Sequence, residues 1–302
     1  MSVAEVEAQE LVLEAPTGGL WSDARYRLVR NPGAIVGFAL VLAFIAVAFL
    51  APVLAPYDPR EQNLSLLTAQ CCPGPSRQHL LGVDALGRDE LSRILYGARF
   101  SLLIGVVAVS VGLSIGMALG AVAGYFGGAV DSVVMRLMDI MLAIPGLLLA
   151  IGIVAMLQPG LFQVMIAVGV ANIPIFARLL RGSILAQREA DFVLAARSVG
   201  LKRRTILVSH VLPNSISPVI IQATLALATA IIDVAALGFL GLGPQDPATP
   251  EWGTMLTDAD QYLQSAPFLA IFPGIAIVLS VLGFNLIGDG LREAFDPKLR
   301  GR

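Results

Sequence analysis

Charge is what this chain has least of. Asp, Glu, Lys and Arg make up 14% of its 302 residues, against about 25% in a soluble domain. The 20 basic and 22 acidic residues leave a net charge of −2, so bulk charge gives no argument for nucleic-acid binding. Cysteine is nearly absent: the 2 present, Cys71 and Cys72, are adjacent and cannot build a framework of disulfide staples. The 2 histidines, His79 and His210, stand far apart without ligand-spaced companions, so no metal site is expected. There is no Walker A pattern, no HExxH and no GxSxG with partners, so no catalytic residue is assigned. Energised work by this chain would draw its energy from another one.

Apolar residues take up the space: 56% of the chain is hydrophobic and its mean hydropathy is +0.79. A helix crosses a hydrocarbon core of about 30 Å with roughly 20 residues. Six segments meet or approach that length: Ala34–Ala55, Phe100–Ala123, Asp131–Leu157, Leu161–Ala177, Ile216–Leu242 and Ala266–Ile287. Gln158-Pro159-Gly160 reads as a tight turn between the third and fourth. The chain is therefore expected to be an all-α membrane protein of six transmembrane helices.

Basic residues set an expected orientation. With the N-terminus in the cytoplasm, Arg60, Arg77, Arg88, Arg93 and Arg99 fall outside, and the rest of the 20 fall inside. The positive-inside rule favours this arrangement, with both termini cytoplasmic. The first span is longer than the apolar core of a signal peptide and follows about 33 residues, so it reads as a retained anchor. The expected organisation is a cytoplasmic segment at 1–33, an anchor helix at 34–55, an outer loop at 56–99, a core domain at 100–290 and a cytoplasmic tail at 291–302.

Several local expectations follow. Residues 1–19 are acidic and expected to be poorly ordered. Trp21 to Leu28 fits a short interfacial helix capped by Ser22 or Asp23. Asp84–Phe100 alternates Leu86, Leu91, Ile94 and Leu95 with charges, as an amphipathic elbow lying on the outer face would. Gly112, Gly116, Gly120 and Gly124 line one face of the second span and allow close helix packing. Arg136 with Asp139, and Asp289 with Arg292, are spaced to pair on one helix face. Trp252 reads as an interfacial anchor. Asn172, two residues before Pro174, suits a kink in the fourth span and is a weaker candidate for the translocation path. Asp233 lies within the fifth span, where a charge costs about 2.5–3.5 kcal/mol. Either it lines a translocation path and attracts a cationic group, or it pairs with a polar group on another subunit.

The most distinctive stretch is DFVLAARSVGLKRRTILVSHVLP, Asp191–Pro213. It is polar, sits between two long apolar runs and falls on the inner side. Ala190–Val199 is a good helix former, Gly200 a natural stop, and Lys202, Arg203 and Arg204 follow before an apolar pattern resumes. Helix, glycine break and second helix would make a rigid knob below the membrane.

Ala195-Ala196, Gly200 four residues on, and Leu212-Pro213 resemble the EAA loop of ATP-binding-cassette (ABC) importer permeases. Leu194 stands where that pattern has Glu and His210 where it has Ile, while Glu189 and Asp191 lie just upstream. The motifs LGVDALGRDELSRILYGAR (Leu81–Arg99), AALGFLGLG (Ala235–Gly243), PEWGTML (Pro250–Leu256), NLIGDGLR (Asn285–Arg292) and DPKL (Asp296–Leu299) are similar to those of the peptide/nickel group of these permeases, with dipeptide importers the nearest. The resemblance covers residues 21–300.

It implies a type I ABC importer permease fold with a cytoplasmic coupling helix in loop 189–213, seated on an ATPase. The implied docking residues are Glu189, Asp191, Ala195, Ala196, Gly200, Lys202, Leu212 and Pro213. It also implies a homologous second permease subunit, one or two ABC ATPase subunits that hold ATP and Mg²⁺, a periplasmic or lipid-anchored substrate-binding protein, and no cofactor on this chain. The implied cargo is a dipeptide or short peptide; a nickel chelate, glutathione and an oligopeptide are the alternatives within the group. A stand-alone secondary transporter would need paired intramembrane charges, and an intramembrane enzyme would need His, Ser or acidic dyads within spans.

Overall fold

The structure is a computed structural model that describes residues 25–67 and 71–295. Trp21, Ser22 and Asp23, the acidic segment 1–19 and the DPKL motif lie outside the described residues; residues 25–28 are helical. Among the described residues there is no β-strand, only an isolated bridge between Val83 and Asp89.

Helix α1, Pro32–Leu54, begins where Asn31 accepts the Ala34 amide at 3.0 Å and Pro32 occupies the first turn, both favoured at a helix start. Helix α2, Glu90–Phe126, is started by the Asp89 carboxylate, which accepts the Ser92 amide at 2.8 Å. Then follow α3 (Gly128–Leu142), α4 (Gly146–Leu157), α5 (Leu161–Arg188), α6 (Asp191–Ser198), α7 (Arg203–Ile206), α8 (Leu212–Ser215), α9 (Ser217–Phe239), α10 (Trp252–Asp260) and α11 (Phe268–Ala294). Five helices are each long and apolar enough to cross a membrane.

The third expected span, Asp131–Leu157, is broken. Helices α3 and α4 meet at 90° across a break of three residues. Pro145 supplies the cause: it disfavours helical geometry at Ile144 and has no amide to continue the ladder. The fourth expected span instead runs through Pro174 as one helix, α5.

The centre of the bundle is the seam between α2 and α5, the most extensive helix pair. The four-residue glycine repeat makes it possible. A Cβ at Gly116 would stand 2.7 Å from the Ile173 carbonyl, and one at Gly120 would stand 2.5 Å from that of Ala177. No side chain fits there, so the backbones touch, as small residues permit in membrane helix pairs. Ile104, Val168, Phe176, Leu180 and Ile184 complete this core.

The elbow is not a separate helix on the surface. Helix α2 starts at Glu90 and runs unbroken into the span, and the charges before it are buried rather than solvated. Arg88 donates from Nε to Asp84 at 2.6 Å and from Nη1 to the Pro247 carbonyl at 2.5 Å. Arg93 Nε lies 3.4 Å from the same carboxylate. Asp89 contacts His79 Nδ1 at 2.9 Å, and His79 stacks on Tyr57. Buried guanidiniums need such partners, and these tie the outer loop to the segment before α10. Burial pushes the Asp258 carboxyl up, and the nearby Arg93 and Arg88 pull it back.

Trp252 is likewise buried rather than interfacial. It is 1% exposed, donates from Nε1 to the Ile94 carbonyl at 3.2 Å, and meets Phe44 edge-on. Gly97 leaves the space, since a Cβ there would lie 2.6 Å from the indole nitrogen. Glu251 starts α10 by accepting the Gly253 and Thr254 amides. The pairs expected within helices also differ: Asp139 is bonded by Arg178 and Asp131 by Arg181, both from α5, so α3 is latched to its neighbour. Asp289 and Arg292 form no ion pair with each other. Cys71 and Cys72 are joined to each other by a disulfide.

Contacts sort the helix ends into two groups. Arg188 bonds the Gly124 carbonyl at 3.0 Å, and Asn31 bonds Glu293. The ends of α2 and α5 and the start of α3 thus meet beside segment 189–213, and the start of α1 meets the end of α11; this end of the bundle is called here the basic end. The Gly160 amide bonds the Leu242 carbonyl, and Arg88 reaches Pro247, which gathers the outer loop, the α4–α5 turn and α10 at the other.

Candidate functional site

Segment 189–213 folds as the helix, break and second helix that its pattern suggests. Glu189 ends α5, and the extended backbone of Ala190 starts α6. Asp191 stands in the first turn of α6 and Arg197 in the last, the order that suits a helix dipole. At its end, the Leu201 amide donates to the Ala196 carbonyl at 3.2 Å and the Gly200 amide to Arg197 at 3.0 Å. This bond pair is a Schellman end, which requires a left-handed residue between them. Gly200 supplies it with φ of +81°.

The stretch after the break is held without a regular ladder. Lys202 precedes α7, and Leu207–Val211 widens into a π-turn in which the Leu212 amide reaches back to Leu207. Pro213 has no amide to give. Neighbouring side chains take the loosened carbonyls: Asn214 donates to His210 at 2.7 Å and Ser215 to Val211 at 2.8 Å. The His210 Nδ1 atom is buried with no hydrogen-bond partner among the described residues.

Two faces result. Val193, Ala196, Ile206 and Val211 are buried against the α2–α5 core. Ala196, one of the docking residues the resemblance implies, therefore packs inward and anchors the helix. Glu189, Asp191, Ala195, Gly200, Lys202 and Pro213 are exposed, and Leu212 is half-buried. A Cβ at Gly200 would meet open space, so only its backbone angle restricts the position. Beside these residues stand Leu194, which departs from the pattern's Glu and is 53% exposed, and two apolar residues the sequence did not single out, Val199 at 77% and Leu201 at 40%. They sit past the end of a 28-residue helix, which at 1.5 Å per residue spans about 42 Å, more than a hydrocarbon core of about 30 Å. Exposed apolar residues gathered beyond a hydrocarbon core are the kind of patch that marks an interaction site. Their apolar character within a charged stretch was the available signal.

The two candidates for a translocation path lie elsewhere. Asn172 is buried in the helix seam, where its Cβ fills the place a Cβ at Gly112 would need. Its side chain donates to the Val168 carbonyl at 2.8 Å, not to the Val170 carbonyl that Pro174 leaves without a helix partner. Asp233 is half-buried on α9 with no hydrogen bond to the described residues. It lies 16 positions beyond Ser217, about 24 Å along the helix, so the structure does not bring it near the basic end.

A helical bundle with long apolar helices, a broken span, a packed glycine seam and a polar helix pair at one end defines an integral membrane protein. Solved structures share this architecture. A MetNI methionine ABC transporter in an inward-facing conformation aligns with TM-score 0.55 at 18% identity, over 67% of this chain and 96% of that one. An amino acid ABC transporter aligns with TM-score 0.53 at 14% identity, over 66% and 92%. These show the type I importer permease fold. The chain belongs to the family described as binding-protein-dependent transport system inner membrane component, which it matches over residues 116–301.

Residues 19–70 match the N-terminal transmembrane domain of oligopeptide transport permease C. The dipeptide transport system permease protein DppC of Alkalihalophilus pseudofirmus is 49% identical over 280 residues, 93% of this chain and 90% of that protein. The di/tripeptide permease protein DppC of Pseudomonas aeruginosa is 45% identical over 302 residues, 99% and 98% of the two chains. The glutathione transport system permease protein GsiD of Escherichia coli is also 45% identical, over 99% and 97%. The chain is thus a multi-pass inner-membrane transport subunit and not an enzyme.

Proposed function

We propose that this chain is a permease subunit of an ATP-driven importer carrying dipeptides or short peptides inward. The observation that carries the cargo class is the 49% identity to a dipeptide permease over 93% of the chain. Glutathione is the second reading, favoured by the 45% identity to a glutathione permease across nearly the whole length; being a tripeptide, it belongs to the same chemical class.

The basic end faces the cytoplasm, both termini lie there, and α6 is the coupling helix. Glu189, Asp191, Ala195, Gly200, Lys202, Leu212 and Pro213, with Leu194, Val199 and Leu201, form the surface presented to an ATPase subunit; Ala196 holds that surface from behind. ATP and Mg²⁺ belong to the ATPase subunits and this chain holds no cofactor. A second, homologous permease subunit completes the membrane unit, and an external binding protein, periplasmic or lipid-anchored, delivers cargo at the far end. Asp233 is a candidate for the translocation path, where its carboxylate would attract the α-ammonium group of a peptide. Asn172, sealed in the helix seam, supports the helix pair.

Uptake separates the readings. The chain and its transport partners, expressed in a host without peptide permeases, should accumulate labelled dipeptide on ATP supply. Accumulation of glutathione but no dipeptide favours the second reading, and uptake of nickel chelates alone contradicts both.

A further inference from the structure

Beneath α6, at the basic end, lies a cavity of about 110 Å³ lined by Tyr125, Arg188, Arg197 and Arg203, with Val193 and Ile206 among its apolar walls. Its three guanidiniums form no ion pair with any described residue. The contrast along α5 is sharp: Arg178 and Arg181 are each matched by a carboxylate from α3, while Arg188 has only the Gly124 carbonyl. That single bond fixes Arg188 at the end of α2 and leaves the rest of its fork unused. Arg188 is half-buried, Arg197 and Arg203 are exposed, and the three like charges gathered at one partly apolar cavity repel one another. An anion relieves that repulsion, and guanidinium forks suit a phosphate group.

Size and depth narrow the choice. The cavity has room for several waters, each needing at least about 10–15 Å³ of it, and so for one phosphate group. Arg188 lies at the far end of a helix about 42 Å long, about 12 Å more than the hydrocarbon core requires, and that excess shared between the two ends puts Arg188 at headgroup depth. Tyr125 is an aromatic at that level, and its neighbour Phe126 is 65% exposed, which provides apolar contact for an acyl chain beside the charged cavity. Basic pockets at this depth hold anionic headgroups. We propose that the cavity bounded by Arg188, Arg197, Arg203 and Tyr125 binds a phosphate-bearing anion, the headgroup of an anionic phospholipid. The site would brace α6 against the ends of α2 and α5, and its occupancy does not depend on the ATPase reading above.

The full chain, purified in neutral detergent without other subunits, tests this by native mass spectrometry during titration with phosphatidylglycerol or phosphatidylcholine of matched acyl chains. The wild type should bind phosphatidylglycerol about tenfold more tightly, the effect of one charge-assisted contact. The triple variant R188Q/R197Q/R203Q should bind the two lipids alike, and R136Q, which alters an arginine outside the cavity, should keep the wild-type preference. Should the triple variant not fold, R197Q alone must lose part of the preference. Full preference retained in R197Q or in the triple variant overturns the site. No preference in the wild type also overturns it, as expected if the cavity instead receives an acidic side chain of a partner protein. Stabilisation against heat by inorganic phosphate, without preference between the lipids, overturns the lipid assignment in favour of a free anion. Because the ATPase is absent, none of these outcomes bears on its docking.

Discussion

The Leu201 amide donates to the Ala196 carbonyl across Gly200, and this bond ends the helix whose exposed side carries Leu194 and Val199. It ties an inward-facing anchor, Ala196, to the outward-facing turn that follows. Any partner seated on α6 therefore meets a surface whose backbone is already set.

Gly200 is the position where this arrangement is easiest to test. An L-residue in the left-handed region costs about 1–2 kcal/mol, with Asn and Asp better tolerated than most, while space for a Cβ is open. Gly200→Ala should lower ATPase co-purification and uptake, and Gly200→Asn should do so less. Gly200→Asp should be most damaging because it also adds a charge to an apolar contact surface. If Gly200→Asp leaves assembly and uptake intact, the docking assignment is wrong.

Gly120→Leu should abolish the folded chain. Its Cβ would stand 2.5 Å from a backbone carbonyl of α5, so the two helices must separate. Gly152→Ala should be tolerated, since nothing lies within 4 Å of its Cβ. Yield of monodisperse protein after membrane extraction measures both. Equal yields would mean that the α2–α5 seam does not hold the bundle.

Trp252→Ala should destabilise the chain by about 3–5 kcal/mol, the usual loss for a buried aromatic. Trp252→Phe should cost less, losing mainly the bond to the Ile94 carbonyl. Thermal denaturation of the two variants reads the order. An interfacial anchor would show little loss in either.

Asp233→Asn should lower peptide uptake about tenfold, the effect of losing one charge-assisted contact, with ATPase assembly unchanged. Full uptake by this variant would remove Asp233 from the path.

The apolar runs made five spans readable, because length and hydropathy are one-dimensional properties. Pro145 was visible in the third expected span, yet averaging over the run hid a 90° bend. The start of α2 was misplaced by ten residues for the opposite reason. Glu90, Arg93 and Arg99 interrupt the apolar pattern, but the first two are buried, and Arg93 reaches both nearby Asp84 and the Pro247 carbonyl, 154 positions away. Trp252 failed similarly: its burial depends on Gly97, 155 positions away. In the coupling segment, the spacing of Ala195, Ala196, Gly200 and Leu212-Pro213 located the element. It could not say that Ala196 turns inward and Val199 outward, which depends on how α6 sits against Ile206 and Val211.

The central claim, that α6 seats an ATPase subunit, is tested most directly by cross-linking from single positions. A photoreactive residue at Val199, 77% exposed on this surface, should yield a covalent adduct with an ATPase subunit in the assembled transporter. The same residue at Phe162, 65% exposed at the opposite end, should yield none. An ATPase adduct from Phe162, or its absence from Val199, would contradict the account.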